Sequence, residues 1–475
     1  MRPEMHEYNL DWMLASTVRV ASSLDSCSDR ELEAMFRYIP YFGTPLHKLV
    51  QSGRPGMQFI KMLDDYLQRV VTARDRGRMI GMTTFCFCPL AMEACGIVPL
   101  MLENITGFVA GMYRRGAHDY MDYCVELGFS ETGCSSQRGM LGAYLAGLGE
   151  DIGLVVGSMG GVCDSNSNAY AFASEKLGVP FYNINYPAQI TGREVWDYQR
   201  RDYEAMISFL EEVSGNRLDE DMLRGFLEEK KKQDAIVNEI EEMQMLVPNP
   251  LKPIYLLLIY SGNLMCPGWP AYTEVLESIR EAVRDNAEKR ISGLSSGHEA
   301  NRTLFFYIDH TGLALSFWSW LDEHGVSHLG GVPSRSFGDE APYAKGEPGT
   351  VYHIDTSSRD AMIDSLVGIN ATMPMSRTIR GPHDAPHMWL EDTLRIAELY
   401  NADSCVYAGT PGCRNTWSNV RLMARELEKA GYPTHIMYSD TFDMRVESWE
   451  TTSARLEEFY RLRGLWPPEG AMPGA

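Results

Sequence analysis

Short apolar runs alternate along this chain with longer amphipathic stretches, and the alternation predicts the fold. "IGLVVGS" at residues 152–158 is apolar almost throughout, as a strand covered on both faces requires. "RMIGMTTF", "IVPLML", "PFYNINYP", "RTLFFYIDH", "VSHLGGV", "DSCVYAG" and "YPTHIMYSD" read the same way, and so does "PIYLLLIYSG" at residues 253–262. Helical spacing marks "PLAMEACG", where Pro89 suits a first turn and Gly96 a C-cap. It also marks "DYMDYCVEL", "SQRGMLGAYLAG", "NAYAFASEKLG", "ALSFWSWLDEHG", "APHMWLEDTLRIAELYN", "VRLMARELEKAG" and "SWETTSARLEEFYRLRG". Strand, helix and strand in turn predict parallel crossover units.

Two segments depart from this rhythm. Residues 1–78 read as helices, with a capping box at Ser28 and Glu31 in "SDRELEAMFRYI". Residues 191–247 read as two long, charged, amphipathic helices, in which "EEKKK" is a solvated face. The expected fold is α/β: two doubly wound, mostly parallel-sheet domains joined by long helices, after an N-terminal helical segment. Its divisions are a helical segment over 1–78, a first α/β domain over 79–190, a helical bridge over 191–250, a second α/β domain over 251–465 and a loose tail over 466–475.

The two α/β halves share a smaller pattern. In the first, "IGLVVGS" leads to Cys163, and "GVP" opens the next strand. In the second, "DSCVYAG" leads to Cys413, and "GYP" opens the next strand. Ligands of such sheets bind at the carboxyl ends of strands, beside helix N-termini. Cys163 and Cys413 are both expected there. Cys134 opens the helix "SQRGMLGAYLAG", with Arg138 one turn on, and Cys88 precedes the helix of Pro89.

Composition narrows the chemistry. Of 475 residues, 44% are hydrophobic and 23% charged, as in a globular protein. A net charge of −21 opposes general nucleic-acid binding, because phosphate contacts dominate that affinity. No apolar run has the length of a membrane span, and "MRPEMHEYNLDW" lacks the layout of a signal peptide, so a cytoplasmic location is expected. Ten cysteines without a C-x-x-C pair fit neither a disulfide scaffold nor a zinc ribbon. Any metal site must be assembled from distant parts of the chain. Thiolates at helix starts are soft ligands, and Cys86 or Cys88, Cys134 and Cys413 together can hold an iron–sulfur cluster or zinc. The competing reading is that each is a small buried apolar residue. Cys27, Cys95, Cys124, Cys266 and Cys405 are read as packing residues.

Five segments, in order, resemble the 2-hydroxyacyl-CoA dehydratase and benzoyl-CoA reductase family over roughly residues 75–465. They are "RGRMIGMTTFCFCPLAMEACGIVPL", "CSSQRGMLG", "CDSNSNAYAFASEKLGVPFYNINYP", "YEAMISFLEEVSGNRLDEDMLRGFLEE" and the stretch from "GTPGCRNTWSNV" to Asp440, Asp443 and Arg445. The resemblance, with a length similar to the larger, substrate-binding subunit, implies a heterodimer with a homologous smaller subunit. It implies an oxygen-sensitive 4Fe–4S cluster held by three cysteines, and a separate ATP-hydrolysing iron–sulfur activator that injects one electron. The acyl-CoA thioester would meet the open iron, and a ketyl radical anion would expel the hydroxyl group to give the enoyl-CoA.

Carried onto this sequence, the expected ligands are Cys88, Cys134 and Cys413, with Cys86 as the alternative to Cys88 and Cys163 as a neighbour. Arg138 and Arg414 are expected to support the cluster or the thioester, or else to form ion pairs. His310 in "IDHTG" is a candidate proton donor or a structural histidine. His383 and His387 sit i, i+4 apart, but two prolines in "GPHDAPH" deny them a helix. Asp440, Asp443 and Arg445 are expected to close a domain-stabilising network. An ATP-dependent aryl-CoA reductase subunit and an electron-relay subunit without substrate stay open beside the dehydratase.

Overall fold

The computed structural model describes residues 48–101, 103, 106–107, 117–148, 151–160, 163–185, 192–308, 314–344, 351–379 and 387–466, with residues 23, 26–28, 30–31 and 34. Ser28 and Glu31 form half of the expected capping box: Glu31 Oε2 accepts from the Ser28 backbone N–H at 2.8 Å. The first helix, α1 (Arg54–Val71), starts with a proline in its first turn and buries Phe59, Ile60, Leu63, Tyr66 and Leu67 along one stripe.

The first half then runs β1 (Ile80–Thr83), α2 (Leu90–Ala94), β2 (Val98–Met101), α3 (His118–Glu126), α4 (Ser135–Ala143), β3 (Ile152–Gly160), α5 (Asp164–Leu177) and β4 (Phe181–Asn185). Two long helices follow, α6 (Arg193–Ser214) and α7 (Glu220–Gln244), then α8 (Pro253–Met265) and α9 (Pro270–Lys289). The second half runs β5 (Asn301–Phe305), α10 (Ala314–Glu323), β6 (Val326–His328), α11 (Arg359–Ala371), α12 (Pro374–Ile379), α13 (Met388–Leu399), β7 (Ser404–Tyr407), α14 (Arg414–Trp417), α15 (Val420–Lys429), β8 (Thr434–Ile436) and α16 (Trp449–Leu462).

The strands form two four-stranded sheets, ordered β2-β1-β3-β4 and β6-β5-β7-β8, and every pairing is parallel. The order is the same in both, so the shared pattern of the two halves is a shared topology. Each sheet is covered on both faces. Ile80, Met82 and Val98 of the first face α3, α4 and α5 residues such as Met140 and Tyr170, while Leu154 and Val156 face α2, α6, α7 and α11. In the second, Phe305 and Val406 pack toward α8, α9, α10 and α16, while Leu304 and Phe306 pack toward α13 and α15. Burial on both faces is why the strands read as continuous apolar runs.

One expected strand is a helix. "PIYLLLIYSG" forms most of α8, with Pro253 in its first turn. A helix buried nearly all round carries no stripe to distinguish it from a buried strand, and the decisive cue is a proline at a first turn. The hydroxyl of Tyr272 from α9, an element the apolar pattern left unassigned, donates to the Ile259 carbonyl at 2.8 Å. Elsewhere the boundaries carry their expected stops. Gly96, Gly178 and Gly215 all adopt positive φ after helices, as C-caps do.

A half-buried histidine on β8 gives the fold an acid limit. The His435 ring lies 5.2 Å from that of Phe459. Burial, with Arg455 adding to it, pushes its pKa from 6.5 down to about 4. The unfolded chain therefore takes a proton that the folded chain refuses as pH falls from 6.5 toward 4. Stability is intact above that window and falls through it, by up to about 3 kcal/mol. His435→Gln is expected to flatten this limb. Urea unfolding at stepped pH measures it, and an unchanged slope below pH 6.5 would count against the assignment.

Candidate functional site

In each sheet the strand order reverses between the two inner strands, and the loops leaving those strands diverge there. The loop after β1 carries Cys86, the loop after β3 carries Cys163, the one after β5 carries Tyr307 and the one after β7 carries Cys413. These four strand ends meet. Cys86 and the partly buried Cys163 of the first half pack in the same cluster as Tyr307, Tyr407 and Cys413 of the second. Cys134 joins from the start of α4, where it is the N-cap. Gly412 makes room for it: a Cβ there would stand 3.2 Å from the Cys134 Cα and 3.3 Å from the Gly133 carbonyl oxygen.

Two of the sulfurs have a hydrogen-bonding partner. The Tyr307 hydroxyl lies 3.1 Å from Cys413 Sγ. Cys163 caps α5, its Sγ accepting from the Asn166 N–H at 3.4 Å. Cys134 makes no side-chain cap bond, though the N–H groups of Ser136 and Gln137 at the start of α4 pull its pKa down. At Cys134 and Cys163 the helix N–H groups favour a thiolate, but burial outweighs them. Cys134 is pushed up to about 12 by burial, with Cys413 and Asp440 adding to the effect. Burial also raises Cys163, with Cys413 and Cys134 nearby, and raises Cys86, with Cys163, Glu103 and Cys413 nearby. The helix-start advantage expected for Cys134 is therefore the smaller of two opposed effects. Without a metal these thiols keep their protons at neutral pH, and a bound metal would displace them.

Cys88 stands apart. It packs with Leu90, Met92 and Tyr203 under α6 and α7, and Lys230 and Asp234 are its charged neighbours. Its backbone N–H points to Asn370 Oδ1 at 3.4 Å. Of the pair Cys86 and Cys88, the structure brings Cys86 toward Cys163 and Cys413.

The expected cations mostly secure the lobes. Arg138 donates from Nε to the Gly133 carbonyl at 3.1 Å and faces Asp443 at 3.5 Å, across the seam between the halves. Arg445 bonds Asp443 at 2.8 Å and Asp122 of α3 at 2.8 Å, so Asp443 and Arg445 join the halves. Arg414 pairs with Asp164 at 3.3 Å, linking the residues that follow Cys413 and Cys163; both are over half exposed. His310 and His383 lie outside the described residues, and His387 precedes α13.

Sequence reasoning missed two groups. Tyr307 had no cue beyond its place after an inner strand. Glu103, two residues past β2, is buried 4% exposed, and its Oε1 accepts from Asn166 at 3.3 Å and Gln137 at 3.5 Å. Burial pushes its carboxyl up to about 7 against the pull of its hydrogen bonds. Nothing in "IVPLMLEN" marks it except a carboxylate that closes an apolar run.

The donor set suits a soft metal centre: several buried or partly buried thiols, two of them with hydrogen-bonding partners, at facing strand ends. Among the described residues no three His, Cys, Asp or Glu side chains already stand as a coordinating group, so the thiols would have to draw in around a metal. Among the same residues no helix is long and apolar enough to cross a membrane.

Fold and site together define a two-lobed α/β protein whose paired parallel sheets bring thiols together where their strand ends meet. Residues 90–461 match the family model of the 2-hydroxyglutaryl-CoA dehydratase D-component, and the chain belongs to that family. No curated protein matches it. The family is a dehydratase component, so the chain is one part of an assembly that removes water from a 2-hydroxyacyl-CoA.

Proposed function

We propose that this chain is the iron–sulfur subunit of a 2-hydroxyacyl-CoA dehydratase, working with a homologous smaller subunit and an ATP-dependent iron–sulfur activator. The observation that carries the reading is the meeting of Cys86, Cys163 and Cys413 at facing strand ends, with Cys134 against Gly412, in a family of dehydratase components. Cys134 and Cys413 would hold the centre with Cys163 as third thiol, and Cys86 stands behind Cys163 as the alternative. A bound 4Fe–4S cluster would supply one-electron chemistry and, at an iron without a protein ligand, a Lewis acid.

The chain's own residues would do the rest. The Tyr307 hydroxyl, the Asn166 N–H and the α4 N-terminus stabilise negative charge on sulfur. Tyr307 and Tyr407 stack with rings 5.5 Å apart and, with Trp389, keep water from the Cys413 side. Glu103 offers a carboxyl that holds its proton up to about pH 7 beside Cys86. The acyl-CoA thioester is the substrate.

Anaerobic reconstitution with iron and sulfide, followed by assay with the partner subunit and activator on 2-hydroxyglutaryl-CoA, other 2-hydroxyacyl-CoA thioesters and benzoyl-CoA, tests the reading. Water loss without net consumption of reductant is expected. Ring reduction of benzoyl-CoA would move the chain to the aryl-CoA reductases. A spectrum indifferent to every thioester would leave only an electron relay, and a colourless protein without iron would end the proposal.

A further inference from the structure

Asp440 sits at the seam between the halves, 3% exposed, and every hydrogen bond it receives comes from a neutral donor. Its Oδ1 accepts from the Ser135 hydroxyl and from the backbone N–H groups of Phe442 and Asp443, each at 3.0 Å. Its Oδ2 accepts from the Thr410 hydroxyl. Ser135 is the residue after Cys134 and the first of α4. Thr410 organises the turn that ends in Cys413: its Oγ1 accepts from the Gly412 N–H at 3.3 Å, and its carbonyl from the Cys413 N–H at 3.0 Å. One carboxylate therefore grips both thiol-bearing segments, one from each half, by a hydroxyl one residue from Cys134 and another three residues from Cys413.

We infer that Asp440 is a positioning residue that brackets the Cys134 and Cys413 segments and so presets the spacing of their thiols before any metal arrives. The inference rests on the reading of those thiols as ligands, but the bracket itself is a property of the metal-free chain. The physical argument is one of reference. Cys134 and Cys413 belong to different sheets, and their separation is fixed only as well as the two halves are fixed. A buried carboxylate with four donors is costly to unpair, so it holds both segments to one point. Asp443 and Arg445 also cross the seam, to Arg138 and to Asp122 of α3. They couple the halves without gripping the Cys413 turn.

The test uses the full chain, metal-free and anaerobic, with Cys86→Ser and Cys163→Ser so that Cys134 and Cys413 are the thiols under study. Dibromobimane, which bridges two neighbouring thiols, is the probe, and mass spectrometry identifies the Cys134–Cys413 product. Asp440→Ala is expected to lower its yield several-fold. Asp440→Asn is expected to restore most of it, since the amide oxygen still accepts from Ser135 and its NH2 donates to the Thr410 oxygen. Ser135→Ala and Thr410→Val, which cut one arm each, are expected to fall between.

Arg445→Gln is expected to lower the unfolding midpoint and leave the yield alone. In the chain with all its cysteines, reconstituted iron should leave Asp440→Ala for a chelator about tenfold faster, the scale of a lost outer partner of a ligand. Unchanged cross-linking in Asp440→Ala overturns the bracket whatever the iron content. An equal loss in Arg445→Gln overturns it too, by reducing Asp440 to one of several links between lobes. A parent that cross-links but takes up no iron overturns the proposed centre and leaves the bracket standing.

Discussion

Cys413→Ser is expected to remove nearly all iron from the anaerobically reconstituted chain. Cys413 lies where the two halves touch, 9% exposed, with the Tyr307 hydroxyl at 3.1 Å and Cys86, Cys134 and Cys163 all close enough to feel its charge. A serine oxygen is a hard, poorly ionised donor in place of a soft thiolate. The loss in metal affinity should exceed the 10–100-fold (about 1.4–2.7 kcal/mol) that follows removal of an outer partner. Iron and sulfide counts per chain provide the measurement. Cys134→Ser should behave alike, and Cys88→Ser should keep its iron, because Lys230 and Asp234, not thiols, surround it. Cys163→Ser and Cys86→Ser then decide the third position. Full iron in Cys413→Ser would remove the ligand assignment. Loading should also improve as pH rises, since Cys134 and whichever of Cys163 and Cys86 ligates must give up protons that burial holds tightly.

Arg302→Met is expected to destabilise the whole chain by about 3–5 kcal/mol, the range for breaking a buried charged network by removing one partner. Arg302 is the second residue of β5 and is 4% exposed. Its guanidinium donates to the carbonyls of Gln244 and Leu246 at 3.0 Å each, to the Tyr400 carbonyl at 2.9 Å and to Glu299 at 2.9 Å. Gln244 ends α7 and Tyr400 caps α13, so one cation satisfies the bare carbonyl ends of two helices. Methionine fills similar volume but takes the guanidinium donors from these carbonyls and leaves Glu299 with the Asn249 N–H and no cation. Arg302→Lys should recover less than half of the loss, because an ammonium cannot reproduce the planar fork. Urea unfolding measures both. A Met variant within about 1 kcal/mol of the parent, the typical effect of an arbitrary substitution, would show that water replaces the guanidinium there.

The fold was legible where burial on two faces left a long enough mark. "IGLVVGS" and "DSCVYAG" announced inner strands, and the matching glycines and prolines announced the repeat. "PIYLLLIYSG" was misleading because apolar runs carry no phase: only Pro253 favoured the helix it became. At the site, the helix-start cysteines Cys134, Cys163 and Cys413 could be placed by topology, since strand ends in doubly wound sheets converge. The choice between Cys86 and Cys88 could not. The two lie in one turn and face different clusters, and which cluster holds the other thiols depends on contacts with the second half. Glu103 and Tyr307 were silent for the same reason: their significance comes from partners far away in sequence.

Two sheets with one strand order, carried on a single chain, amount to a dimer whose members cannot drift apart. A tether keeps the local concentration of each lobe near the other far above that of free partners. The tether adds to the bonds that Asp440, Asp443 and Arg445 make across the seam. Separately expressed lobes would lose that advantage, and with it the meeting point of their sulfurs.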